Sequence, residues 1–499
     1  MTSRLLIVKI KFEKLLWIFS DSIVIFSPHD CVCSRVAFYI RENGSKDMLK
    51  ILHKDYKDKV KRLLSVMLPI IGTQIAIMGM NFFDASMSGQ AGDADLAGAA
   101  IGGNIWMPVQ TCFAGILLAA MPLIANLLGA GEKEKISTVV RHGMLLALAF
   151  SVLIIVGGVI FLPPFLQGMG LAPEVYHIAL WYMAGLGIGV LPFFLITPLR
   201  SLVDTFGYTK LSMKIYLLAL PVNACLNYVL IFGKLGLPRL GGIGAGVATG
   251  ITFWLLLVMF AVVVSKLQPF KQYDVLGLVR PVKQLVAEYL RIGVPMGVAI
   301  FMETSIFGVV ALFIAKFGTE VIAAHQAALN FSSLIYMFPM SFSLALTIVV
   351  GVEYGAKNYQ GARDYTALGL ELSLFIAIVY MALELVAREY IALIYTTNPH
   401  VIELVKVFII YALLWQGGDA IAAPIQGILR GYKDVNATFW CSMLAYWAIC
   451  LPVGLLLDYK FNNGAFAYWQ SLDIGVICSA VVLSLRLVLL QRRIKKDEE

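Results

Sequence analysis

Asp84, Glu303 and Asp419 each interrupt a long run of uncharged residues. A carboxylate in apolar sequence is expensive to bury unless it faces a cavity or finds a partner, so each is a candidate for function. Glu303, in VPMGVAIFMETSIFGVVALF, stands eleven uncharged residues from Arg291 and twelve from Lys316, too far to reach an interface easily. Such an acid is held either protonated or ionised opposite a cation, and both states suit binding of a substrate or a proton. Asp419 lies in YALLWQGGDAIAAPIQGILRG, where Gly417 and Gly418 before it and Pro424 after it weaken the helix. Trp415 and Gln416 lie one turn away, so a cation stacked on the indole would be countered by the carboxylate. The alternative is an acid that only satisfies backbone groups freed at the weak point. Asp84 follows Asn81 by three residues, which places both on one helical face. An exposed carboxylate at a helix end is the plainer reading, although Asp93 and Asp95 fit that role better. Asn223 and Asn227, in LPVNACLNYVLIFG, are an i, i+4 pair whose amides project from one face. With a carboxylate they make a hard-oxygen ligand set for a small cation, and interhelical hydrogen bonding is the competing reading. Glu371 and Glu384 lie nearer helix ends, Asp204 sits in a basic connector, and His325 reads as a packing residue.

The elements that position these groups are membrane helices. Of 499 residues, 60% are hydrophobic and 14% charged, against about 25% charged in soluble domains. Gly and Pro fall inside apolar runs, where neighbouring helices in a bilayer re-satisfy the freed backbone groups. Spanning the hydrocarbon takes about 20 apolar residues. Twelve segments qualify: 63–87, 97–128, 139–161, 176–199, 211–232, 243–264, 286–315, 321–352, 367–387, 402–429, 437–457 and 465–490. The second and eighth are the longest and should tilt, kink or project. With the N-terminus inside, fifteen Lys and Arg fall at inside connectors and span ends, Arg430 among them, and six at outside ones. This bias predicts a multi-pass protein of the cell membrane with both termini cytoplasmic. The net charge of +8 is scattered through short connectors and does not suggest nucleic acid. Five of seven cysteines (Cys112, Cys225, Cys441, Cys450 and Cys478) lie in apolar stretches, which argues against a disulfide scaffold. A Walker A motif is absent, so direct ATP coupling has no support.

The chain is internally duplicated. Slid against itself by 226 residues, it sets Pro69 on Pro295, Asn104 on Asn330, Gly129 on Gly355, Ala130 on Ala356 and Pro198 on Pro424. Six spans per repeat make the halves parallel, related by an axis along the membrane normal. The expected fold is all-α, with twelve transmembrane helices in two pseudo-symmetric six-helix lobes. The lobes cover 60–265 and 285–490, joined by a cytoplasmic linker over 266–284 and followed by a charged tail over 491–499. Residues 1–59 form an N-terminal extension, and 1–47 fit the pattern poorly: Leu15 to Ser27 is too short to span and Asp21 interrupts it. Met48 is a more natural beginning. Asp84 and Glu303 have Val310 and Ile77 as their repeat partners, so the acids occupy non-equivalent places. Lobes that share a fold but differ in polar residues suggest an ion site in one and a substrate site in the other.

These pieces resemble the multidrug and toxic compound extrusion (MATE) family, in its bacterial NorM-type branch. The matching motifs are FFDASMSG, LAGAAIG, PVNACLNYVLIFGKLGLPRLGGIGAGVATG, METSIF and GGDAIAAPIQGILRG, in order, with the likeness covering about 60–490. The resemblance implies antiport of organic cations against inward Na+ or H+, with no other cofactor, by a protein that works as a monomer in the lipid bilayer. By the same resemblance Asp84, Asn223 and Asn227 form the coupling-ion site and Glu303 and Asp419 are transport-essential acids. Asn81, Trp415 and Gln416 would line the cavity, and the small residues at 241–246 would pack beside the first site. The branch is linked to Na+, which the Asn pair fits better than a pure proton relay. A lipid-linked oligosaccharide flippase of the same superfamily is the alternative, disfavoured by acids and amides at mid-span. An intramembrane enzyme would need a paired base and nucleophile or a motif such as HExxH, and neither is visible.

Overall fold

A helix can cross lipid because it satisfies its own backbone hydrogen bonds. In the computed structural model, which describes residues 46–277 and 280–498, twelve helices are long and apolar enough to do so. They are α1 (Asp55–Ala91), α2 (Asp93–Gly129), α3 (Lys133–Gly168), α4 (Pro173–Thr205), α5 (Thr209–Phe232) and α6 (Gly242–Lys266) in the first lobe. The second lobe holds α7 (Lys283–Ala315), α8 (Thr319–Gly355), α9 (Tyr359–Tyr395), α10 (Pro399–Gly431), α11 (Val435–Phe461) and α12 (Phe466–Glu498). All twelve expected spans are present. The extension expected over 1–47 lies outside the described residues except at its last two positions, where the helix containing α1 begins with Lys46. At the other end α12 continues through the charged segment to Glu498, which pairs with Arg363 of α9 at 3.0 Å.

The two longest helices are interrupted, as their length suggested. α2 breaks at Leu118 and Ala119, and α8 breaks at Tyr336. Each break lies three or four residues before a proline, Pro122 or Pro339. A proline cannot donate to the preceding turn, and its ring crowds the carbonyl there. In α11 the turn widens over Met443–Cys450, and from this stretch Trp447 Nε1 donates to the carbonyl of Met302 at 3.2 Å, beside Glu303.

Packing repeats between the lobes. α1 packs on α5, α2 on α4 and α4 on α6; correspondingly α7 packs on α11, α8 on α10 and α10 on α12. The lobes meet where α2 and α8 cross near their C-terminal ends. A Cβ on Gly129 would stand 1.9 Å from the Val352 carbonyl oxygen, and one on Gly355 would stand 2.1 Å from that of Asn126. Both glycines, and both carbonyls, are 226 residues apart in sequence, so this crossing lies on the axis that relates the halves. Only a residue without a side chain allows backbones this close. The same end is tied by Asn126 Nδ2 donating to the Gly431 carbonyl at 3.0 Å and by Lys59–Asp364 and Arg62–Glu353 pairs at 2.8 and 3.2 Å. Leu63, Met67 and Ile70 of α1 enter an apolar cluster with Phe342, Leu346 and Ile425 of the other lobe. Most of the connector Lys and Arg lie at this end, so it is called the basic end below.

Candidate functional sites in the two lobes

In the first lobe α1, α5 and α6 bring their polar residues to one buried point. Asn227 Nδ2 donates to Asp84 Oδ1 at 2.5 Å, and Thr249 Oγ1 donates to Asp84 Oδ2 at 2.6 Å. Asn227 also donates to Asn223 Oδ1 at 3.2 Å. Asn223 Nδ2 in turn approaches Thr249 Oγ1 at 3.5 Å and Thr252 Oγ1 at 3.4 Å. Asp84, Asn223 and Asn227 are buried, and Asn227 Oδ1 has no hydrogen-bond partner among the described residues. The three residues singled out in the sequence are therefore neighbours. Asn81 is not part of the cluster: it is exposed and donates to none of these groups.

Thr249 and Thr252 were not anticipated from the sequence. They are the α6 hydroxyls in ATGITFW, three residues apart and so on one helical face. Apart from Ser265 near its end, α6 carries no other side-chain hydroxyl, and that was the available signal. The small residues at 241–246 act at one remove from the carboxylate. Gly244 lets α6 approach the α5 backbone at Leu230 and Ile231, and Gly246 lets it approach the Tyr182 carbonyl of α4.

In the second lobe the acids are less satisfied. Both Asp419 oxygens are buried with no hydrogen-bond partner among the described residues. Glu303 is buried within electrostatic reach of Asp419, and Gln426 and Arg430 of α10 also act on its carboxylate. Arg430 had been counted with the connector cations, yet its side chain is buried and its Nη2 donates to Gln426 Oε1 at 3.3 Å. At the last turn of α10 the long side chain turns into the lobe, where Glu303 supplies a counter-charge. Trp415 is buried with its ring edge-to-face on Phe307 at 5.4 Å and tilted against Tyr336 at 6.2 Å. Tyr336 stands at the α8 break and feels both Glu303 and Asp419.

Three further residues read from the sequence take defined places in the structure. Glu384 is not a peripheral acid: it is buried on α9, and its Oε1 accepts from Gln416 Nε2 at 3.3 Å. Asp204 is likewise buried, in the last turn of α4, paired with Arg200 at 3.1 Å. His325 packs as expected, its Nδ1 accepting from Trp469 Nε1 at 3.1 Å.

Comparison with known proteins accords with this architecture. The MatE family model matches residues 69–229 and 295–456, once in each lobe. The chain is 46% identical over 438 residues to a probable multidrug resistance protein NorM of Oceanobacillus iheyensis, covering 88% of this chain and 98% of that one. It is 43% identical over 443 residues to the protein of the same name from Bacillus subtilis, covering 89% and 98%. Among solved structures, the eukaryotic MATE transporter AtDTX14 superposes with a TM-score of 0.79 at 20% identity, covering 88% of this chain and 98% of that one. A MOP-superfamily transporter from Pyrococcus furiosus gives 0.78 at 17%, covering 88% and 97%. Matched in both halves by one family model and along most of its length by NorM relatives, the chain belongs to the MatE family of multi-pass membrane transporters.

Proposed function

We propose that this protein is a secondary active multidrug exporter. It expels cationic, amphiphilic compounds in exchange for inward Na+, with H+ as the second choice of coupling ion. The carrying observation is the Asp84 cluster: one carboxylate among neutral oxygens from Asn223, Asn227 and Thr249, with Asn227 Oδ1 buried and unpartnered. Turning the two amides would offer that set of oxygens to a hard cation. A single negative charge suits a monovalent ion, and among the described residues no three His, Cys, Asp or Glu side chains gather to hold a metal.

Glu303 and Asp419 then receive the organic cation in the second lobe, beside the Trp415 face. Among the described residues, the buried charges of that lobe are Glu303, Glu384, Asp419 and Asp473 against Arg430. A carrier of a phosphate-bearing lipid would need the opposite balance. Lobes over 60–265 and 285–490 rock about the α2–α8 crossing, with 266–284 as the cytoplasmic interlobe linker and both termini cytoplasmic. A monomer contains both sites. Ion and substrate shift this equilibrium only by their differential affinity for its two arrangements, so Na+ must favour one and drug the other. Purified protein in liposomes loaded with ethidium tests the reading. Efflux driven by an imposed Na+ gradient supports it, a response to a proton gradient alone moves the coupling to H+, and a response to neither overturns it.

A further inference from the structure

The second lobe holds more carboxylates than one monocationic drug requires. Glu303 has the Arg430 guanidinium in its field. Asp419 and Glu384 have no cation near them: among the described residues neither forms an ion pair, and Arg388, one turn beyond Glu384, does not reach it. Glu384 is only 3% exposed, and its Oε2 is buried with no hydrogen-bond partner among the described residues. Gln416 holds its other oxygen at 3.3 Å, and Gln416 precedes Asp419 by three residues on α10, so their Cβ atoms lie about 5–6 Å apart. Tyr380, one turn before Glu384 on α9, feels both acids, and its hydroxyl is buried with no hydrogen-bond partner among the described residues. Gln416 Oε1 and Trp415 Nε1 are also buried and have no hydrogen-bond partner among the described residues. Such a concentration of unsatisfied polar atoms is unusual in a folded interior and marks a place built for a ligand.

We propose that Glu384 is a second anionic subsite, linked to Asp419 through Gln416 and Tyr380, and that it lets the second lobe hold organic dications as well as monocations. One positive group sits at Asp419 near the Trp415 ring. The other is received by Glu384, with the free carbonyl oxygen of Gln416 and the Tyr380 hydroxyl accepting its N–H groups where it has them. This inference rests on the cation-export reading and adds a specificity-determining residue to it.

The test uses the full-length protein in liposomes and two radiolabelled probes, the monocation tetraphenylphosphonium and the bis-quaternary dication hexamethonium. Wild-type protein transports both. Glu384→Gln should raise the half-saturating concentration for hexamethonium about tenfold or more, the loss of one charge–charge contact with a quaternary ammonium. It should leave that for tetraphenylphosphonium within about twofold, and Glu384→Asp should recover much of the loss. Equal effects on both probes, or none on either, overturn the proposal, as does a wild-type protein that carries only the monocation. Transport of neither probe by the wild type overturns the cation-export reading instead. Unchanged thermal unfolding of the Gln variant separates specificity from misfolding.

Discussion

Removing the Thr249 hydroxyl should weaken the coupling ion without dismantling the lobe. Thr249→Val is nearly isosteric and deletes one interaction with the carboxylate, the 2.6 Å hydrogen bond from Oγ1 to Asp84 Oδ2. In the ion-bound form the same oxygen would serve as a ligand. Hydrogen bonds to a charged group contribute about 1.5–3 kcal/mol, which converts to roughly 10- to 150-fold in an equilibrium constant. The half-saturating Na+ concentration for drug efflux should rise by that factor, while the maximal rate at saturating Na+ stays within about twofold, and Thr249→Ser should behave as wild type. Thr252→Val is the internal control. Its hydroxyl donates to the Ala248 carbonyl of its own helix at 2.7 Å and only receives Asn223 at 3.4 Å. That longer, neutral contact is worth about 1 kcal/mol or less, so the shift should stay under about fivefold. Sodium titrations of ethidium efflux from liposomes, with equal incorporation verified, read both. An unchanged Na+ dependence in Thr249→Val, or equal damage from Thr252→Val, would refute the assignment of α6 to the ion site.

Gly355→Val places a Cβ 2.1 Å from the Asn126 carbonyl, against an ordinary contact of 3.4–4 Å, so the α2–α8 crossing must open by more than 1 Å. The basic end should become accessible to a membrane-impermeant maleimide at a cysteine introduced nearby, and wild-type labelling in the variant would count against the crossing as what holds the lobes together there. Glu353→Arg should slow export a few-fold, in keeping with about 0.2–1 kcal/mol for a half-exposed pair, and adding Arg62→Glu should restore it; a double variant worse than the single would remove Arg62–Glu353 at 3.2 Å as a lobe clasp. His325→Leu strips the acceptor from the buried Trp469 N–H, which should lower stability by about 1–3 kcal/mol and leave the Na+ dependence alone. A changed Na+ dependence would show that His325 does more than pack.

Span number, pseudo-symmetry and the principal acids were legible because each leaves a mark along the chain. Twenty apolar residues mark a helix, a fixed offset marks a repeat, and a charge alone in an apolar run marks a site. The Asn223–Asn227 pair was legible for the same reason, since i, i+4 spacing sets both amides on one face. Thr249 and Thr252 were missed because hydroxyls in a membrane helix commonly bond their own backbone, as Thr252 does, and carry no signal of a distant partner. Glu384 and Arg430 were misjudged for a related reason. Their positions along α9 and α10 suggested helix ends, but which way a side chain turns depends on what the neighbouring helix offers. Gln416 draws Glu384 inward, and Glu303 does the same for Arg430. The breaks in α2 and α8 follow local proline chemistry.

The central claim is that Asp84 couples ion entry to drug exit, and Asp84→Asn tests it most directly. The substitution keeps the shape of the side chain and one of its two acceptor oxygens, so the contact with Thr249 survives while the charge is lost, and Asn227 turns its unpartnered Oδ1 to accept from the new amide. In liposomes with a fixed Na+ gradient, the variant should bind ethidium as wild type does and fail to expel it, with efflux at the level of empty liposomes. Gradient-driven efflux at the wild-type rate from the Asn variant would contradict the account.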